Sequence, residues 1–155
     1  MSKYYQKAKV DLKKACNFCN DTYIQNNLYT SAAWMELSGA ACQIYIIFLG
    51  KRRGLTKIKD PRGKEKPSWE AKNQNNLDFS CWDALNVFGL TIPRFRRGIK
   101  ELFKYGFLTI VKHGLPQWRE KTIYSLSENW KNFGTNKFIE YAPPDFEKFQ
   151  IGGKE

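Results

Sequence analysis

The stretch Leu77-Asp78-Phe79-Ser80-Cys81-Trp82-Asp83-Ala84-Leu85-Asn86-Val87-Phe88-Gly89-Leu90-Thr91-Ile92-Pro93-Arg94-Phe95-Arg96-Arg97-Gly98-Ile99-Lys100-Glu101-Leu102-Phe103-Lys104-Tyr105-Gly106 carries most of the structural information in this chain. Leu77-Asp78-Phe79 alternates like a short strand. Ser80 is a helix cap, and the helix it opens runs over Cys81–Phe88 to the stop at Gly89. Thr91 caps a second helix, with Pro93 in the first turn, where its missing N–H costs nothing. That helix extends to about Tyr105 and ends at Gly106. On a wheel of about 100° per residue, Ile92, Phe95, Ile99, Leu102 and Phe103 share one face. Arg94, Arg97, Lys100, Glu101 and Lys104 fall largely opposite.

Downstream, Phe107–Lys112 is a β-rich run and His113-Gly114-Leu115-Pro116 a turn. Thr122-Ile123-Tyr124-Ser125-Leu126 alternates as a second strand. Upstream, Ser31 or Thr30 caps a helix beginning Ala32-Ala33-Trp34-Met35, and Ser38 caps another reaching about Lys51. Ala41, Ile44, Tyr45, Phe48 and Leu49 form its apolar face, and Ile46 and Ile47 widen it, which predicts a helix nearly surrounded by protein. Gly54 is its expected stop. Residues 51–76 hold Asp60-Pro61-Arg62-Gly63, Lys66-Pro67 and three asparagines, which reads as a long basic loop. Three segments result: a polar arm over 1–26 with a short helix over Tyr4–Cys19, a domain over 27–134, and a tail over 135–155 broken by Pro143-Pro144.

Charge narrows the function. The chain has 155 residues, 42% apolar and 15% aromatic, enough for one domain with a modest core. Its 26 Lys and Arg oppose 15 Asp and Glu, a net charge of +11, which attracts polyanions. The excess lies in two blocks: residues 51–76, with nine basic and three acidic groups, and residues 91–121, with eight and two. Between them Asp78 and Asp83 are the only charges. The most apolar run, Cys42–Leu49, is far short of the ~20 residues that span a bilayer. The N-terminus lacks an apolar signal region, so the four cysteines are expected to be reduced thiols in a cytosol.

A helix held by an apolar face and showing a basic one suits the major groove of double-stranded DNA, where Arg binds guanine O6 and N7 in bidentate fashion. Arg94 and Arg97, near the N-terminus, are expected at base edges, and Thr91 at a phosphate or base edge. Lys100 and Lys104 extend the cationic face. The short helix before it and the two-strand hairpin after it make a winged helix-turn-helix, mainly α with a small antiparallel sheet. The wing would bring Lys112, His113, Arg119 and Lys121 to the flanking backbone or minor groove.

The segments Leu77-Asp78-Phe79-Ser80, Phe88-Gly89-Leu90-Thr91-Ile92-Pro93-Arg94-Phe95, Gly98-Ile99-Lys100-Glu101-Leu102 and Tyr105-Gly106-Phe107-Leu108 resemble winged helix-turn-helix proteins of bacterial plasmids, phages and mobile elements. Ser31–Tyr45 is similar to the helix preceding the motif in replication-initiator-like members, and Tyr124–Trp130 to their last strand. The resemblance covers residues 28–132. It implies sequence-specific DNA binding, as a transcriptional regulator or replication initiator, in a bacterial cytosol or nucleoid. Such regulators often form homodimers, and that partner stays open here.

Other constellations are weaker. Cys16-Asn17-Phe18-Cys19 spells CxxC, half a zinc site or a redox pair. Zinc would need two more ligands from Cys42, Cys81 and His113; Cys42 and Cys81 fall in helices and read as buried thiols, so no metal or cofactor is expected. His113 has no nucleophile in a recognisable arrangement, and the chain does not read as an enzyme. Trp34, Trp82 and Trp130 are expected in the core, while Trp118 lies in the wing. Gly98 inside a helix is read as a close helix crossing. Two alternatives to duplex binding remain: a protein-interaction module whose basic face meets an acidic partner, and RNA or single-strand binding through exposed aromatics.

Overall fold

The computed structural model describes residues 22–52, 55–59, 65–114 and 121–146, with backbone alone for 55–59 and 65–70. The expected helix over Tyr4–Cys19, the CxxC, Gly54, the Asp60-Pro61-Arg62-Gly63 turn, Trp118 and the last residues of the tail lie outside the described residues. The fold is a small α+β domain. In chain order its elements are α1 (Asn26–Tyr29), α2 (Ala32–Met35), α3 (Gly39–Gly50), β1 (Leu55–Lys59), β2 (Glu65–Ala71), β3 (Leu77–Asp78), α4 (Cys81–Asn86), α5 (Ile92–Lys104), β4 (Leu108–Lys112), β5 (Ile123–Leu126) and a 3₁₀ turn (Asn129–Asn132).

Local chemistry sets the helix starts. The Ser31 hydroxyl accepts from the Trp34 N–H and the Ser38 hydroxyl from the Ala41 N–H. Ser80 heads a capping box with Asp83, each side chain accepting from the other's backbone N–H. Two glycines with φ of 66° and 79°, Gly89 and Gly106, close α4 and α5. After α5 the Phe107 N–H donates to the Leu102 carbonyl (2.8 Å) and the Gly106 N–H to Phe103 (3.1 Å), the paired bonds of a Schellman ending. No β carbon fits at Gly106: it would lie 2.9 Å from Phe138 Cε2 and 3.0 Å from the Trp130 backbone nitrogen.

Three strands form an antiparallel sheet in the order β3-β5-β4, so the last strand lies between the other two. Leu77 pairs with Tyr124, and Leu108 with Leu126. The register shifts between Ile110 and Lys112, which leaves Val111 as a bulged, exposed residue. Residues 51–76 depart from the expected loop. Strands β1 and β2 pair antiparallel there, from Leu55 opposite Ala71 to Lys59 opposite Glu65. Turn-forming residues cluster between the two strands, and Leu55-Thr56-Lys57-Ile58-Lys59 carries only two apolar residues, three apart, so no period-2 pattern marks it as a strand. This second sheet makes the domain mixed rather than mainly α.

The core sits between α3, α5 and the three-stranded sheet. As its composition suggested, α3 is buried on most sides, with Ala40, Ala41, Ile44, Tyr45, Ile47, Phe48 and Leu49 withdrawn from solvent, but Ile46, expected to widen the apolar face, is 39% exposed. Edge-to-face rings fill one side: Phe79 meets Phe48 (5.4 Å), Phe88 (5.4 Å) and Phe95 (4.9 Å), and Phe48 meets Tyr124 (5.3 Å). On the other side Phe107 stacks on Trp130 and meets Tyr45 and Trp34. Trp82 is the correction among the tryptophans. It stands 67% exposed, because α4 turns Ala84 and Val87 inward and Trp82 and Leu85 outward. The tail is not separate: Tyr141 and Phe146 pack against the core, and Pro144 is buried.

Helices α3 and α5 cross at Gly98, as its place in the sequence suggested. A β carbon there would lie 2.5 Å from Ile44 Cδ1 and 3.4 Å from the Ala41 backbone. Gly98→Leu is therefore expected to lower stability by about 1–3 kcal/mol through overpacking. Gly98→Ala should cost much less, because the end of Ile44 can shift and alanine gains up to about 1 kcal/mol of helix propensity. Urea denaturation of the two variants checks the order; equal tolerance of both would mean the helices are not in close contact.

Candidate nucleic-acid interface

The candidate interface is built on α5. Phe95, Gly98, Ile99, Leu102 and Phe103 are buried against α3 and the sheet. Ile92 was expected with them but is 37% exposed, so the anchored face begins one turn later, at Phe95. Arg94, Arg97, Lys100 and Lys104 are all exposed, along the side opposite the anchor. Thr91 is exposed at the N-cap, and its side chain makes no capping hydrogen bond.

Acidic residues in this region turn inward. Glu101 shares the helix with the cations, yet it is largely covered. One carboxylate oxygen accepts from the Ser38 backbone N–H (2.9 Å), bracing the start of α3, and the other lies 4.0 Å from Arg97 Nε. Arg97 keeps 69% of its side chain exposed despite that neighbour. Lys104 Nζ rests 5.1 Å from the Tyr105 ring. Arg96 lies at the border of the two faces. Its guanidinium sits 5.7 Å over Phe146 of the tail, and its Nε is shut off from solvent with no hydrogen-bond partner among the described residues. No local spacing links the two residues, since Phe146 is fifty positions from Arg96.

On the hairpin, Lys112 and His113 are exposed at the end of β4. Arg119 lies outside the described residues. Lys121 departs from a simple phosphate contact. Its Nζ lies 2.8 Å from Asp78 Oδ2 and 3.8 Å from Asp83 Oδ2. Asp83 also lies in the first turn of α4, where a carboxylate suits the helix dipole. A pair of acids between two basic blocks was the available signal, but no local spacing links residue 78 to residue 121.

Burial pushes the Asp78 carboxyl up, but the hydrogen bond from Lys121 and the charges of Lys51 and Lys121 outweigh it and hold the group below its ordinary value. The same hydrogen bond raises Lys121 against its partial desolvation. Burial pushes the Tyr45 and Tyr124 hydroxyls well above the ordinary phenol range, and the Cys42 thiol up as well. Cys42 and Cys81 are half-buried free thiols. Among the described residues no group of three or more His, Cys, Asp and Glu side chains is placed to hold a metal ion. No helix among them is long and apolar enough to cross a membrane.

A depressed carboxylate stabilises the fold above its unfolded value and loses that contribution as pH falls through the folded one. Wild type should therefore slightly exceed Asp78→Asn in thermal stability at neutral pH, and the small gap should close as pH falls through and below the ordinary carboxylate range. Thermal unfolding across that range checks it; a gap independent of pH would mean Asp78 is not ionised in the pair. Comparison with protein-family models, with curated proteins and with solved structures finds no match for this chain.

Proposed function

We propose that the chain binds double-stranded DNA through a winged helix-turn-helix, with α5 in the major groove and the β4–β5 hairpin as the wing. The observation that carries this reading is the exposed row Arg94, Arg97, Lys100 and Lys104, on a helix whose opposite face is fixed in the core. Its spacing suits one α-helix lying in a groove and presenting guanidinium forks to base edges. The order β3-β5-β4, with α4 and α5 between β3 and β4, supports the winged arrangement. Thr91, Lys112 and Arg119 complete the proposed contacts, with the basic 51–76 segment adding phosphate neutralisation. Sequence-specific binding of this kind serves transcriptional regulation or replication initiation on a plasmid or other mobile element, as the resemblance implies. A palindromic target would make the working species a homodimer.

One observation favours a second reading. Trp82 and Leu85, one turn apart on α4, are exposed at 67% and 45%, a face suited to a protein contact. A pull-down that survives nuclease treatment would support it, and competition by single strands would point to stacking on the exposed aromatics.

Selection from a random duplex pool, followed by titration at several salt concentrations, tests the main reading. With six to eight phosphates neutralised, the log–log salt slope is expected at roughly −5 to −7. Arg97→Ala should weaken the selected duplex by about 1–3 kcal/mol and leave scrambled duplex much less affected. A slope near zero, or an Arg97→Ala variant that binds both duplexes like wild type, overturns the assignment.

A further inference from the structure

We propose that Lys121 is a positioning residue that fixes the β4–β5 hairpin against the start of α4, and so sets the distance between the hairpin's cations and those of α5. The proposal rests on the DNA-binding reading for its consequence, though not for its geometry. Lys121 lies two residues before β5, and its ammonium reaches carboxylates from two other elements, Asp78 of β3 and Asp83 of α4. Both acceptors belong to segments with other contacts. Asp78 pairs with Ile123 in the sheet, and its carbonyl accepts from Lys51 Nζ at 2.7 Å. The Asp83 Oδ2 atom accepts from the Ser80 N–H at 3.2 Å and the Ser80 hydroxyl at 2.8 Å.

The neighbouring residue ties the hairpin to itself. Thr122 Oγ1 accepts from the Gly114 N–H on the opposite arm at 3.2 Å. Residues 121 and 122 thus join both arms of the hairpin to the helix-turn-helix. The bulge at Val111 bends the hairpin but does not hold it to the body. A phosphate approaching Lys121 would also meet the carboxylates of Asp78 and Asp83, which already engage its ammonium. Lys121 and Asp78 are both partly exposed, and such pairs contribute little to global stability. The informative readouts are hairpin opening and its coupling to duplex binding.

The test uses the full chain as wild type, Lys121→Ala, Lys121→Arg, Lys112→Ala and the Lys121→Ala/Lys112→Ala double variant. Amide exchange at Gly114 is measured without DNA, and binding to the selected duplex at several salt concentrations. Lys121→Ala is expected to speed Gly114 exchange by about two- to fivefold, with Lys121→Arg close to wild type. It should weaken duplex binding by about three- to tenfold with an unchanged salt slope, and erase the effect of Lys112→Ala in the double variant. Unchanged Gly114 exchange overturns the proposal. So does a salt slope reduced by about 0.9 with additive effects of the two lysines, which marks a direct phosphate contact. If wild type fails to bind duplex, the DNA-binding reading falls alone, and Gly114 exchange still decides whether Lys121 holds the hairpin.

Discussion

The close approach of α3 and α5 at Gly98 is the constraint on which the rest of the structure depends. A helix carrying Arg94, Arg96, Arg97, Lys100 and Lys104 has strong self-repulsion and no reason to stay folded alone. Burial of Phe95, Ile99, Leu102 and Phe103 supplies the compensating free energy, on the order of 1.5–3 kcal/mol for each large side chain. That burial requires a neighbour with an apolar surface, which α3 provides. Any residue larger than alanine at the crossing would separate the two helices and loosen the ring cluster around Phe48 and Phe79.

Acidic side chains are used differently from basic ones. Glu101, Asp78 and Asp83 each hold two elements together: α5 to α3, the β4–β5 hairpin to β3, and the same hairpin to α4. Their negative charge is occupied by backbone N–H groups, hydroxyls or Lys121. The cationic face of α5 is therefore diluted by its acids only where Glu101 nears Arg97. These three carboxylates lie where they join elements, whereas Glu36, Glu128 and Glu140 are exposed.

The parts of the fold legible in the sequence were those fixed by local chemistry. Ser31, Ser38 and Ser80 cap helices by bonds within three residues, and Gly89 and Gly106 adopt a backbone that side chains disfavour. The amphipathic period of residues 92–104 separated anchor from exposed cations almost completely. What stayed hidden was non-local. The pairing of β1 with β2 lay behind charges and turn residues, and the exposure of Trp82 depends on which face of a two-turn helix meets the core. Lys121 with Asp78, and Arg96 with Phe146, join residues forty or more positions apart. For the candidate site, residue type and exposure were legible for Arg94, Arg97, Lys100, Lys104 and Lys112. The inward engagement of Lys121 and Glu101 was not.

The chain reversal after α5 has a consequence for how the molecule is made. The end of α5 has no finished surface of its own: Gly106 is roofed by Trp130 and Phe138, and the Asn129 side chain exchanges hydrogen bonds with the Ile139 backbone. During synthesis the helix emerges from the ribosome well before those covering residues do. Its hydrophobic end stays wet until the segment 129–139 has followed, so that segment completes the unit rather than decorating it.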